Sequence, residues 1–290
     1  MPSYEVLSID AFTETPLAGN ACAVLTDARG LDDESMLAIA REMNLSETAF
    51  VFPSDVADND VRYFTPAGEI PMAGHPTIAT THALCETGRF GPDRAEITLR
   101  MPAGIIPVAI DRGGPHPRYA MSQLPPTFLK TYKRGAIAKA LGLTKRDLLD
   151  IALPQTVSTG TPQLQIALAA RDALDRVRVD RAKLFVDERD FFSVHVFARG
   201  GDGFALHARH FADFGDILED PFTGSATGGM AAYCARYGII TEQHFRVTQG
   251  AHVHRPGAAD VTVTGAPPDA IGRIIVAGSA VTVLRGTLTL

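Results

Sequence analysis

Residues 69–88 read EIPMAGHPTIATTHALCETG, and residues 219–238 read EDPFTGSATGGMAAYCARYG. Adding 150 to the first numbering gives Glu69/Glu219, Pro71/Pro221, Gly74/Gly224, Thr77/Thr227 and Gly88/Gly238, five identities in twenty positions without a gap. The chain therefore contains two related halves, and any fold for it must be built twice. The flanks extend the echo. Upstream, AFTETPLAGNACAVL, DDESMLAIAREMN and ETAFVF are echoed by TGTPQLQIAL, a helix-like stretch near Asp180–Glu188 and FFSVHVF. Downstream, TLRMPAGIIPVAI around Gly104 resembles FRVTQGAHVHRP around Gly250. A spacing this long exceeds the roughly 20–50 residues of solenoid and propeller repeats and describes a duplicated domain.

Each half alternates short strand-like runs with helical stretches. Tyr4–Ile9, Ala21–Leu25, Ala49–Phe52, Val61–Phe64, Ile97–Met101 and Ile105–Ile110 read as strands, broken by Gly, Pro and Asp. Asp33–Asn44 reads as a helix with Asp32 as its N-cap, and Met36, Leu37, Ala40 and Met43 give it an apolar face. Pro76–Thr87 reads as a buried central helix with Gly88 at C′, and its copy starts from Ser225 as N-cap and stops before Gly238. The passage from Pro115 to Leu153 carries one further helical stretch, GAIAKALGLTKRDLLD. The expected lobes are residues 1–118 and 119–279, with the last strand, about 280–290, returning to the first.

At 290 residues, 46% hydrophobic and 21% charged, each half is long and apolar enough for its own core. A net charge of −6 without a basic cluster argues against nucleic acid. No run approaches the roughly 18 apolar residues of a membrane span. MPSYEVLSIDAF is strand-like and lacks a basic leader, so a cytoplasmic protein is expected. Cys22, Cys85 and Cys234 are widely spaced and form no CxxC, which fits small core residues. HVH at 252–254 and LHARH at 206–210 lack a ligand pattern and read as outward-facing strand residues, so no metal is expected.

Two Gly-led helix starts suggest where chemistry sits. First-turn N–H groups lack helical partners, and the dipole is positive there, so a carboxylate or phosphate is favoured. Gly74 and Gly224 would let a ligand approach the backbone. His75 and Ser225 occupy equivalent places, read as N-caps, and either caps or contacts a ligand. Asp220 is a turn carboxylate or a group that orients a proton or an amino group. Asn20 bonds a substrate or its own turn. Glu47, placed opposite Phe192 when Phe52 is aligned with Phe197, is acidic in only one half. In the loop before strand Ala49–Phe52 it is either a solvated turn residue or a desolvated general base.

IDAF at Ile9–Phe12, PLAGNACAV at Pro16–Val24, REMNLSET at Arg41–Thr48, FTPAGEIPMAGHP at Phe64–Pro76, EDPFTGSATG at Glu219–Gly228 and the QG…RP of Gln249–Pro256 together resemble the PhzF-like isomerase family of phenazine biosynthesis. The resemblance spans almost the whole chain. It implies an α/β (α+β) fold of two pseudo-symmetric, diaminopimelate epimerase-like lobes, each a mixed sheet around a central helix, with the active site between them. Epimerases of that fold carry a cysteine just before each central helix; this chain has Ala73 and Thr223, which disfavours two-thiol chemistry. Glu47 matches the family's catalytic glutamate, which would move a proton from C3 of trans-2,3-dihydro-3-hydroxyanthranilate to another ring carbon without a cofactor. His75 and Asp220 match its supporting catalytic residues. Asn20, Ser46, Gly74, His75, Gly224 and Ser225 would bind a small carboxylate substrate, and a homodimer is expected. The competing readings are an epimerase, racemase or dehydratase of an amino or hydroxy acid, and a binding protein that has lost turnover.

Overall fold

A computed structural model describes residues 2–186, 188–214, 217–268 and 270–290. The chain forms two compact units, Met1–Ser122 with Ala277–Leu290, and Gln123–Val276.

The first unit runs β1 (Ser3–Ala11), β2 (Asn20–Leu25), α1 (Asp33–Met43), β3 (Glu47–Phe52), β4 (Asn59–Thr65), β5 (Gly68–Ile70), α2 (Gly74–Glu86), β6 (Glu96–Met101), β7 (Gly104–Asp111) and β8 (Arg118–Ser122). The second runs β9 (Thr127–Thr131), α3 (Arg134–Ala140), β10 (Gln155–Ser158), β11 (Pro162–Leu168), α4 (Arg171–Arg176), α5 (Arg181–Leu184), β12 (Ser193–Arg199), β13 (Leu206–Phe214), β14 (Ile217–Asp220), α6 (Gly224–Tyr237), β15 (His244–Gln249) and β16 (Gly257–Ala266). The last strand, β17 (Ala270–Thr289), starts in the second unit and ends in the first, where Ala280–Thr289 pairs antiparallel with β1.

The duplication is visible in the pairing itself. In the first unit β1–β2 is antiparallel, β2–β3 parallel, β3–β4 and β4–β5 antiparallel, β4–β6 parallel and β6–β7 antiparallel. In the second, β10–β11, β11–β12, β12–β13, β13–β14, β13–β15 and β15–β16 repeat that series in the same order and sense. The register then fixes which residues correspond. Phe64 pairs with Glu69 and Phe211 with Glu219, so Phe64 corresponds to Phe211. Thr48 pairs with Phe64 and Val194 with Phe211, so Glu47 corresponds to Ser193. The sequence alignment had placed Glu47 opposite Phe192, one residue away. That single step matters, because neighbouring strand residues face opposite sides of the sheet.

Each sheet has an inner face against a nearly all-buried helix and an outer face against amphipathic ones. Along β12, Val194, Val196 and Ala198 join an outer core with Leu141, Leu164, Leu174 and Leu184, while Phe197 meets Tyr233 of α6 edge-on. In the first unit Leu25, Phe50 and Phe64 pack on Met36, Ile39 and Ala40 of α1. That helix begins as expected, with the Asp32 carboxylate accepting from Ser35 N at 2.8 Å, and ends on Asn44 in the left-handed region.

Several local expectations change. α2 starts two residues before Pro76, which is tolerated because no first-turn N–H has a helical partner. The N-caps are Ala73 and Thr223, so His75 and Ser225 are the second residues of their helices and cap nothing. Glu47 opens β3 and does not lie in a loop, since its strand pairs with both β2 and β4. The helix-like stretch Asp180–Glu188 is the short α5 alone, and Asp187 lies outside the described residues; α4 precedes it. GAIAKALGLTKRDLLD is α3 followed by a 3₁₀ turn, Lys145–Asp147. His210 is buried on the inner face and contacts His195, Nδ1 to Nδ1, at 3.2 Å, while His252 lies within a 3₁₀ turn, Ala251–Val253, that His254 ends, so neither is in a strand. Cys22 and Cys234 are buried as expected, but Cys85 is only partly so. Among the described residues, no helix is long and apolar enough to cross a membrane.

Candidate functional site

The first unit brings together Asn20, Glu47 and His75. β2 and β3 run parallel with Cys22 beside Glu47, so the glutamate projects from the inner face toward the start of α2. Its Oε2 lies 3.3 Å from His75 Nε2, with the glutamate side chain 15% exposed and the imidazole 3%. Behind the ring, Asn20 Nδ2 lies 3.0 Å from His75 Nδ1. This contact holds the ring in place from behind, and the direction of the bond follows the tautomer of the imidazole. Burial pushes His75 down to about 3, with a backbone hydrogen bond at Ala21 opposing the shift. The imidazole is therefore neutral at physiological pH, and the pair is a glutamate beside a neutral imidazole.

Cys22 completes this neighbourhood without being a base. Burial, and then the Glu47 charge, hold its thiol well above the ordinary range. Ser46 precedes Glu47 and is half-buried; Gly74 opens α2 next to His75. No acidic residue stands in the first turn of α2 or α6, so nothing on either helix offsets the positive end of its dipole. Thr77 and Thr227, identical in the echo, do the same job twice: each hydroxyl donates to the N-cap carbonyl, Ala73 O at 2.6 Å and Thr223 O at 3.0 Å.

The second unit gathers Asp220, Gly224 and Ser225. Thr223 Oγ1 donates to Asp220 Oδ2 at 2.5 Å, and Gln249 Nε2 donates to Asp220 O at 2.7 Å. Gln163 Nε2 donates to Ser225 Oγ at 3.0 Å. By register, Cys22, Glu47 and His75 correspond to Gln163, Ser193 and Ser225. At these positions the first unit places a carboxylate beside an imidazole, and the second places a neutral amide–hydroxyl set.

Sequence reading missed Gln163, Gln249 and a repeated ion pair. Arg62 grips Glu69 through Nε and Nη2 at 2.8 and 2.5 Å, and Arg209 grips Glu219 at 2.9 and 2.7 Å. The signal was present as RYF at 62–64 against RHF at 209–211, but its offset is 147, not 150. The second β-hairpin is longer by three residues, so an ungapped echo stops at Glu69.

A mixed sheet around a buried helix, built twice, is the diaminopimelate epimerase-like architecture, and the protein is an isomerase built on it. The chain belongs to the phenazine biosynthesis-like protein family, whose model matches residues 9–286. It is 33% identical over 291 residues to a trans-2,3-dihydro-3-hydroxyanthranilate isomerase of Pseudomonas fluorescens, covering 99% of this chain and 100% of the relative. The crystal structure of a Bacillus anthracis phenazine biosynthesis protein of the PhzF family superimposes with a TM-score of 0.86 at 30% identity, covering all of both chains. A hydroxyproline epimerase of Agrobacterium vitis shares the fold alone, with a TM-score of 0.66 at 10% identity over 99% of this chain and 91% of that one.

Proposed function

We propose that this isomerase moves a proton on a small, conjugated carboxylic acid without a cofactor, with trans-2,3-dihydro-3-hydroxyanthranilate as the first candidate. The observation that carries the reading is the Glu47–His75 contact at 3.3 Å, with the imidazole neutral and oriented by Asn20. Glu47 takes a proton from the acidic carbon of the substrate and returns it at another carbon, while the conjugated acid delocalises the charge that develops between the two steps. His75, held from behind by Asn20, packs against the Glu47 carboxyl group and fixes its position. The open N–H groups at Gly74 and His75 favour the substrate carboxylate. In the second unit, Asp220 orients a proton or an amino group, and Ser225 with the Gly224 amide donates to an anionic group. Two-thiol epimerisation is disfavoured because Ala73 and Thr223 stand before the helices and Cys22 is held protonated.

The test is turnover of the candidate acid in heavy water, followed by proton NMR. A shifted double bond with deuterium at the new carbon is expected. Glu47→Gln should lower kcat by about 10²–10⁴-fold, the usual contribution of a general acid–base, while calorimetry still detects ligand binding. Full activity in that variant would sink the mechanism, and a mirror-image product without double-bond migration would favour an epimerase.

A further inference from the structure

We propose that Thr223 and Gln249 are positioning residues that together hold the Asp220 carboxylate in one orientation. The register comparison isolates them. Ile70 corresponds to Asp220 and Met101 to Gln249, because Tyr63 pairs with Ile70 as His210 does with Asp220, and Asn59 with Leu99 as Leu206 does with Val247. The N-caps Ala73 and Thr223 correspond through the echo. Three apolar residues of one unit are thus replaced by three polar residues of the other, and these three are bonded to one another.

The bonds have a direction. Gln249 Nε2 donates to Asp220 O at 2.7 Å and to Thr223 Oγ1 at 3.3 Å, and Gln249 Oε1 accepts from Thr223 N at 3.3 Å. The opposite amide orientation would set oxygen against the Asp220 carbonyl and NH₂ against the Thr223 N–H, so the network fixes it. With an N–H pointing at its oxygen, the Thr223 hydroxyl turns its own proton toward Asp220 Oδ2, at 2.5 Å. The result is a one-way chain from Gln249 through Thr223 to Asp220, which favours the ionised carboxylate.

Backbone geometry keeps the parts in place. Gly250, with φ +94°, follows Gln249, and a Cβ there would lie 2.5 Å from Pro221 O and 2.2 Å from Arg255 O. Only glycine lets the end of β15 press this closely on the turn that carries Asp220. Asp220 and Gln249 are buried, 8% and 3% exposed, where a carboxylate without such donors would be costly. Thr223 stands where epimerases of this architecture are expected to carry a thiol that moves a proton, so an acid–base position here holds a positioning hydroxyl.

The importance of Asp220 for turnover rests on the function proposed above; the hydrogen-bond chain does not. The test is therefore a ¹³C-carboxyl NMR titration of Asp220, assigned by its loss in Asp220→Asn, alongside kcat and KM on the candidate acid. Removing a hydrogen bond to a charged group should raise the Asp220 midpoint by about one to two pH units in Thr223→Val. Gln249→Leu should raise it by less, and Thr223→Ser should restore it, with unchanged far-UV circular dichroism in each. kcat/KM should fall about tenfold or more in the first two variants and recover in the third. Unmoved midpoints in Thr223→Val and Gln249→Leu overturn the positioning role, whatever the activity. Shifted midpoints in a protein that does not turn over the acid uphold the positioning role and overturn the substrate assignment.

Discussion

The repeated ion pair offers an experiment with its control built into the same chain. Glu69→Gln and Glu219→Gln remove the same charge from the same fork at corresponding places. The surroundings differ. Arg62 and Glu69 side chains are 29% and 30% exposed, and Arg62 Nη1 also reaches Asp33 Oδ1 at 2.6 Å. Arg209 and Glu219 are 8% and 13% exposed, and among the described residues Arg209 Nη1 reaches carbonyls at the end of α4, Leu174 O at 3.0 Å and Val177 O at 3.2 Å. After Glu69→Gln the guanidinium keeps Asp33 and solvent, so the loss should be about 0.5–1 kcal/mol, as for exposed pairs. After Glu219→Gln a buried cation faces neutral acceptors, and breaking a buried pair costs about 3–5 kcal/mol. The chain has no tryptophan, so urea unfolding is best followed by far-UV circular dichroism, with peptide-resolved hydrogen exchange assigning each loss to its unit. Raising the salt to about 1 M shortens the screening length to about 3 Å and should shrink the Glu69 effect far more than the Glu219 effect. Equal losses within about 1 kcal/mol, or a larger loss at Glu69, would refute the argument that burial sets the value of this contact.

Acid should destabilise the fold earlier than carboxylate titration alone requires. His75, His195 and His210 are buried and neutral; burial takes His75 and His210 down to about 3, from about 6.5 for a free imidazole. The folded-state values lie below the unfolded ones, so this stability is complete above about pH 6.5 and is lost as pH falls toward 3, by about 1.4 kcal/mol per pH unit for each histidine. Urea midpoints measured at pH 7 and pH 5.5 check it, and equal midpoints would contradict it. Thiol labelling by a disulfide reagent should find one accessible cysteine, Cys85, which is partly exposed, while Cys22 and Cys234 react at least about 100-fold more slowly until urea unfolds the chain. Fast labelling of Cys22 would contradict its protected place beside Glu47.

What the sequence showed was governed by spacing, and what it hid was governed by register. The Asp32 cap and most strand cores follow from local chemistry, and a constant offset of 150 exposes the Gly74 and Gly224 helix starts. The correspondence of Glu47 with Ser193 does not follow, because insertions change the offset between elements and only strand pairing settles it. The same limit hid Arg62 and Arg209, whose partners lie across a hairpin of different length in each half. His75 and Ser225 read as caps because small polar residues after a glycine usually cap. The extended backbone at Ala73 and Thr223 moves the helix starts two residues earlier and frees both side chains for other contacts.

Duplication explains why the polar groups fall where they do. Two copies of one topology begin with the same inner-face positions, and each copy needs those positions filled for its central helix to pack. At Cys22, Glu47 and His75 the first copy holds an ionisable pair, where the second holds Ser193 and the bonded Gln163 and Ser225, none of which exchanges a proton near neutral pH. At Ile70, Ala73 and Met101 the first copy is apolar, where the second holds Asp220, Thr223 and Gln249. The two substitutions are complementary. Each unit is polar and titratable at one set of positions and inert at the corresponding set of the other. A duplicated chain with that distribution carries no base at corresponding places in its two copies among the positions compared, which supports the proposed reaction in which one carboxylate both removes and returns the proton.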